Sequence, residues 1–383
     1  MRLATTVIPA ALAALAAVAC DAHAAQEIVR IGSASPVSGP SAHLGKDTEN
    51  GARMAINDLN AKGFTINGKP VTLVLMAEDD GGDPKQGTAV AQKLVDAGVA
   101  GVVGHLNSGT TVPASKIYHN AGIAQITPSA TTPVYTRQGF KTTFRVVAND
   151  NKVGSTLGRY AVGKLQGKRI AVIDDRTAFG QGLADEFVKG VKATRAPVEI
   201  VSRQFTNDRA TDFSAILTQI KGKNPDIIFY GGMDAVAGPM LKQMKALGIN
   251  ARFMGGDGVC SEKLPLLATD GLGNDKVSCA VAGGVTGAQE KPYADFVARY
   301  KQTYGIELQT YAGYAYDAVM VLAQAMQNAK SADPAKYGPE LFKLKYQGVT
   351  GTIAFDQYGD LLNAAMTMYT YRDGKKVKLE VVR

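Results

Sequence analysis

Residues 99–131 read VAGVVGHLNSGTTVPASKIYHNAGIAQITPSAT. Val99–Val103 is a short, uninterrupted apolar run, the pattern of a strand buried on both faces. It stops at Gly104, and His105-Leu106-Asn107-Ser108-Gly109-Thr110-Thr111 follows, small and polar almost throughout. A second short segment, Gln125-Ile126, ends the same way, in Thr127-Pro128-Ser129-Ala130-Thr131. Two buried strand ends that each open into hydroxyl-rich turns are the signature of an open α/β sheet, whose ligands sit at the carboxyl ends of its strands.

The same alternation extends in both directions. Upstream, Ile28–Ile31 and Val71–Met76 read as strands. Ala52, Ala55, Ile56 and Leu59 stand at the i, i+3, i+4, i+7 spacing of a helix face, as Ala91, Leu94, Val95 and Gly98 do more weakly. Asp83-Pro84 supplies an N-cap and a first-turn proline for that second helix. Downstream the series restarts. Arg169–Ile173, Val198–Val201, Asp226–Tyr230 and Arg252–Met254 read as strands. Between them fall the stripes Ala184/Phe187/Val188/Val191, Phe213/Ile216/Leu217/Ile220 and Ala237/Met240/Leu241/Met244. Strands alternating with helices imply parallel sheets with right-handed crossovers. Two such series result, over 27–148 and 149–282. The tail differs: helices are expected over 291–304 and 311–329. Short strands follow at Thr352–Phe355, Met366–Tyr371 and Val377–Val382, the last two joined by an Asp373-Gly374 hairpin turn. The tail is too short for a third domain and must dock on the first two.

Length agrees, since 383 residues suit two domains. A content of 45% hydrophobic and 20% charged residues excludes a disordered chain. The net charge of +8 is thinly spread, with Lys375, Lys376 and Lys378 the densest cluster, so a solvated surface is favoured over a nucleic-acid patch. Arg2, the apolar stretch Leu3–Ala19 and the small residues Ala22 and Ala24 read as a secretory signal peptide over 1–24. Cleavage after Ala24 is favoured over lipidation at Cys20, because Ala17 stands where a lipoprotein box has Leu. Export leaves Cys260 and Cys279, expected to pair in an oxidising compartment.

Catalytic and metal patterns are absent. His43, His105 and His119 fall in no H-E-x-x-H pattern, and there is no C-x-x-C, G-x-S-x-G or Walker A sequence. No catalytic residue, metal or cofactor is expected. The informative residues are instead at the strand ends: the two loops quoted above, Gly231-Gly232-Met233-Asp234, and Gly255-Gly256-Asp257-Gly258. Hydroxyls and backbone N–H groups at a helix start suit a carboxylate. A single Asp among glycines suits an ammonium. Together they describe a zwitterion site, although each residue taken alone is better explained as a cap or turn.

Several segments carry a family resemblance: Ser38-Gly39-Pro40 with Gly45, Glu49-Asn50-Gly51-Ala52, Asp79–Pro84, GHLNSGTTVPAS over 104–115, ITPSAT over 126–131, Phe179–Gly182, Tyr230-Gly231-Gly232, and Tyr311 with Gly313-Tyr314. In this order they resemble the periplasmic substrate-binding proteins of the branched-chain amino-acid ABC transport family, along nearly the whole mature chain. The resemblance implies an α/β, type I periplasmic binding protein fold, two Rossmann-like lobes joined by several hinge crossovers. The N-terminal lobe would comprise 25–148 and 283–354, and the C-terminal lobe 149–282 and 355–383. It implies a monomeric periplasmic receptor that closes on an amino acid and docks on a membrane ABC permease, with no nucleic acid involved. Ser108 and Thr131 would hold the ligand carboxylate, Ser129 would give backbone contacts, and Asp257 would meet the ammonium. Phe179 would cover the ligand, while Leu44, Met233 and Tyr311 wall an apolar pocket. Relatives often bridge the regions of Gly82 and Asn107 by a disulfide that this chain lacks. Leu44 and Met233 replace Tyr, and Asp257 replaces Glu. The alternatives are an amide, urea or aromatic carboxylate as ligand, or a sensor role on the same fold.

Overall fold

The computed structural model describes residues 27–382. The leader, its cleavage site and Cys20 lie outside the described residues. The chain runs β1 (Glu27–Ser35), α1 (Ala42–Ala61), β2 (Thr65–Ile66), β3 (Lys69–Asp79), α2 (Pro84–Asp96), β4 (Gly101–Gly104), α3 (Ser108–Asn120), β5 (Gln125–Thr127) and β6 (Thr143–Arg145). It continues α4 (Asp150–Gly163), β7 (Arg169–Asp174), α5 (Ala178–Ala193), β8 (Glu199–Phe205), α6 (Ser214–Lys221), β9 (Ile227–Gly231), α7 (Asp234–Ala246), β10 (Arg252–Gly255), α8 (Leu264–Ala268) and β11 (Val277–Val281). The last stretch is α9 (Glu290–Tyr304), α10 (Ala312–Ala329), α11 (Pro334–Leu341), β12 (Tyr346–Gln347), β13 (Thr352–Ile353), β14 (Met366–Arg372) and β15 (Lys375–Val382).

These elements form two large sheets. The first has the order β2-β3-β1-β4-β5-β6, parallel except for the β2–β3 hairpin. The second has the order β15-β14-β11-β10-β9-β7-β8, parallel from β11 to β8 and antiparallel at β14 and β15. Four-residue β4 is buried at every position, as its unbroken apolar pattern requires. Asp83 caps α2, its carboxylate accepting from the Lys85 and Gln86 N–H groups. The Asp373-Gly374 turn has φ of 51° and 69°, the left-handed pair that a two-residue hairpin needs and that Gly tolerates without a Cβ clash.

The chain passes between the sheets three times: after β6, after β11, and between β13 and β14. The excursion after β11 brings α9 and α10 back onto α1, so helices from both ends of the sequence cover the first sheet. The third crossing is held by Arg145 at the end of β6, fully buried. Its Nε donates to Asp360 Oδ1 at 2.6 Å, and its other nitrogens reach the carbonyls of Ala130 (2.7 Å) and Thr132 (2.8 Å). Burial alone would raise the Asp360 carboxyl, but Arg145, Thr136 and Arg137 together hold it below its ordinary value.

Among the described residues, no helix is long and apolar enough to cross a membrane, and no group of three or more His, Cys, Asp or Glu is placed to hold a metal ion.

Candidate functional site between the lobes

The carboxyl ends of both sheets face each other across a cleft. On the first-sheet side, α3 begins at Ser108, so its opening N–H groups lie outside the helical ladder. The Ser108 hydroxyl accepts from the Thr132 N–H at 3.3 Å. Two staples join the strand-end loops. Thr127 Oγ1 donates to the His105 carbonyl at 2.9 Å while accepting from the Ala130 N–H at 2.9 Å. Ser129 Oγ donates to the Leu106 carbonyl at 2.9 Å. The Ser129 hydroxyl is thereby committed to the fold, leaving Ser129 its main chain to offer.

Tyr311 belongs to the first-sheet half through α10, although it is distant in sequence. Asp47 on α1 places it: one buried carboxylate accepts from the N–H groups of Gln309 (3.0 Å), Thr310 (3.0 Å), Tyr311 (2.7 Å) and Ala312 (2.9 Å). A carboxylate at the start of a helix satisfies orphan donors and meets the positive end of the macrodipole. Sequence reasoning missed Asp47. Its signal was available as an acidic residue one turn before the buried Ala52/Ala55/Ile56 stripe, but nothing nearby named its partner.

The second-sheet side supplies Phe179 from the start of α5, Met233 at the N-cap of α7 after β9, and Asp257 in the turn after β10. Asp257 is 2% exposed. Its Oδ2 accepts from the Tyr311 hydroxyl at 3.0 Å across the cleft, and its buried Oδ1 has no hydrogen-bond partner. Burial pushes its pKa up to about 6, with the Tyr311 hydrogen bond partly opposing. An acceptor oxygen in that condition suits a cationic donor delivered by a ligand.

Ser108, Ser129, Phe179, Met233, Asp257 and Tyr311 line one small pocket of about 10 Å³. Leu44, Leu106 and Tyr311 form a separate apolar cluster with Met233 packed on it, so Leu44 stands behind the wall. Thr131 does not line the cavity. It is buried, its carbonyl accepts from the Asp150 N–H at 2.9 Å, and its Oγ1 lacks a partner. Asp150, at the start of α4, is the second acid missed in the sequence. Both its oxygens are buried without hydrogen bonds, and burial raises its pKa to about 8, the Asp257 charge adding to the shift; the Thr131 hydroxyl lies beside it, outside good hydrogen-bond geometry, and partly offsets it.

Two further features frame the site. Cys260 and Cys279 form a disulfide with Cα atoms 5.5 Å apart, tying the Asp257 turn to β11. His43 of α1 and Asp234 of α7 meet across the cleft, Nε2 to Oδ2, at 2.7 Å.

Two α/β lobes, three crossovers and a cavity between strand ends define a type I periplasmic binding fold. The profile of the periplasmic binding protein family matches residues 28–376. The chain belongs to this family, in its branched-chain amino-acid ABC transporter group. It is 36% identical over 376 residues to Leu/Ile/Val-binding protein homolog 1 of Brucella abortus (strain 2308), covering 97% of each chain. It is 34% identical over 348 residues to the leucine-, isoleucine-, valine-, threonine- and alanine-binding protein of Pseudomonas aeruginosa, covering 91% of each. Among solved structures, the branched-chain amino-acid transporter substrate-binding protein LivJ of Streptococcus pneumoniae, in complex with isoleucine, superposes with a TM-score of 0.83 at 28% identity, over 93% of this chain and 99% of that one. The family comprises solute-binding receptors and implies an extracytoplasmic location.

Proposed function

We propose that the protein captures a free α-amino acid with an aliphatic side chain between its lobes and delivers it to an ABC permease. One observation carries this: the buried, half-unpartnered Asp257 carboxylate lines the same small pocket between the lobes as Ser108 at the start of α3. An ammonium matches the first and a carboxylate the second. The ligand carboxylate meets Ser108 and the main chain around Ser129 and Ala130, with Arg145 holding that loop through the Ala130 carbonyl. Thr131 acts from behind, beside Asp150. The side chain turns toward Leu106, Met233 and Tyr311, with Leu44 behind them. Closure brings Phe179 and Met233 over the ligand and excludes water.

This reading agrees with the relatives named for leucine, isoleucine and valine. A pocket built from Leu and Met distinguishes a methylene by only about 1–3 kcal/mol, so several aliphatic amino acids should bind. The test is a thermal-shift screen over the amino acids, small amides, urea and benzoate. A ligand at a hundred times its dissociation constant adds about 2.7 kcal/mol of stability. Shifts confined to amino acids, with the ligand recovered chemically unchanged, support the reading. 4-Methylpentanoate, which is leucine without its amine, binding as tightly as leucine would overturn it.

A further inference from the structure

We infer that His43 and Asp234 form a latch that holds the lobes shut over the ligand without touching it. The inference rests on the closing motion of the proposed receptor and names residues outside its ligand contacts. His43 sits on α1 and packs with the first sheet, whereas Asp234 opens α7 on the second. Their side chains are 12% and 0% exposed, so the 2.7 Å contact is shielded from water and only weakly screened. Asp234 is fixed on its own side. Its Oδ2 also accepts from the Ser261 hydroxyl, and its N–H donates to the Gly258 carbonyl at 2.8 Å. The Ser261 hydroxyl in turn accepts from the Leu264 N–H at 3.1 Å. His43 is the partner that reaches Asp234 from the other lobe.

The latch is wired to the cavity by adjacency on both sides. His43 precedes Leu44, and Asp234 follows Met233; Leu44 and Met233 belong to the same apolar cluster. Gly258, which accepts the Asp234 N–H, follows Asp257. Hinge opening moves one lobe away from the other and must break the contact, leaving the Asp234 carboxylate without its cross-lobe partner. A contact made only in the closed form slows opening and leaves the first encounter with ligand alone. It therefore acts on dissociation. His43 and Asp234 are positioning residues for closure.

The experiment compares wild type with His43→Ala, His43→Gln, Asp234→Asn and the His43→Ala/Asp234→Asn pair. Dissociation and association of L-leucine, L-isoleucine and L-alanine are followed by stopped-flow tyrosine fluorescence, the chain having no Trp. Either single loss should speed dissociation at least about tenfold and leave association within about twofold. The double variant should be no faster than the faster single, and His43→Gln, which keeps a donor, should recover part of the loss. The His43 ring resonance, identified by its absence in His43→Ala, should move in Asp234→Asn, a readout that folded but uncoupled variants would not share. Unchanged dissociation, or single effects that multiply, overturns the latch. A His43 resonance indifferent to Asp234→Asn in every sample, free and amino-acid-loaded alike, overturns it as well. If none of the three amino acids binds wild type while the resonance moves, the latch stands and the ligand assignment falls.

Discussion

At the scale of single residues, Asp257 carries a cost in stability and, in the proposed reading, a specificity. Its ordinary pKa is near 3.8, and burial lifts it to about 6. Between those values the folded chain binds the proton more tightly than the unfolded one, so ligand-free stability falls as pH rises through that window. Asp257→Asn removes a buried, uncompensated charge. At pH 7.5 the ligand-free variant should be more stable than wild type by about 1–3 kcal/mol in thermal unfolding. It should bind amino acids at least about a hundredfold more weakly by calorimetry, having lost one partner of a buried pair. In wild type the proton competes with the ammonium, so affinity should weaken as pH falls below about 6. A variant that is stabilised but still binds would detach Asp257 from the ammonium. The position of this residue at a strand end was legible in the sequence, but its role was not, because a lone acid among glycines serves equally well in a turn. Asp47 and Asp150 were not legible. Asp47 acts on N–H groups more than 260 positions away, and Asp150 opens a helix that the periodicity did not announce.

At the scale of elements, the strands with unbroken apolar runs and the helices with full apolar stripes were readable. What escaped was short or small-residue-rich. β6 has three residues and β11 five, and neither stands out against its flanks. α4 escaped because its stripe is built of small residues: a Cβ on Gly158 would come within 2.4 Å of the Phe187 carbonyl on α5. Helices that approach so closely need little side-chain volume at the seam, which empties the pattern that periodicity detects. The disulfide is also an element-scale feature. Cys260 N–H donates to the Asp257 carbonyl at 3.1 Å, so the bridge to Cys279 restrains the turn that carries the acid. In the chain-entropy model a loop of this length contributes about 3 kcal/mol. Replacing both cysteines by alanine should lower unfolding stability by about 2–4 kcal/mol. It should also weaken amino-acid affinity, because the Asp257 turn is then free to fluctuate. Stability lost with affinity intact would show that the turn holds its shape without the bridge.

At the scale of the whole molecule, the two lobes are joined by three chain crossings, and in the proposed reading these crossings serve as the hinge. A closed two-lobed chain of this length should have a radius of gyration of about 20 Å. Small-angle scattering should show a larger value without ligand and contraction toward that figure when a binding amino acid is added. A radius that ignores every bound amino acid would contradict capture by closure. The two-series organisation was visible in the sequence as the restart of the strand–helix alternation after residue 149. The residue pattern gave the tail only an obligation to dock, because nothing local in α9 or α10 says which sheet they cover; the expectation that 283–354 joins the first lobe came from the family resemblance.

That destination has a consequence for how the molecule comes into being. Asp47 finds its donors at residues 309–312, and α1 finds its packing partner in α10. The lobe whose sheet is made first therefore lacks two of its covering helices, α9 and α10, until β7–β11 of the second sheet have been synthesised. Contacts of such sequence separation favour slow folding and leave apolar surface uncovered along the way. A chain ending near residue 282 would hold every strand of the first sheet and still expose the face of α1 meant for α10. A chain built like this completes its first half last.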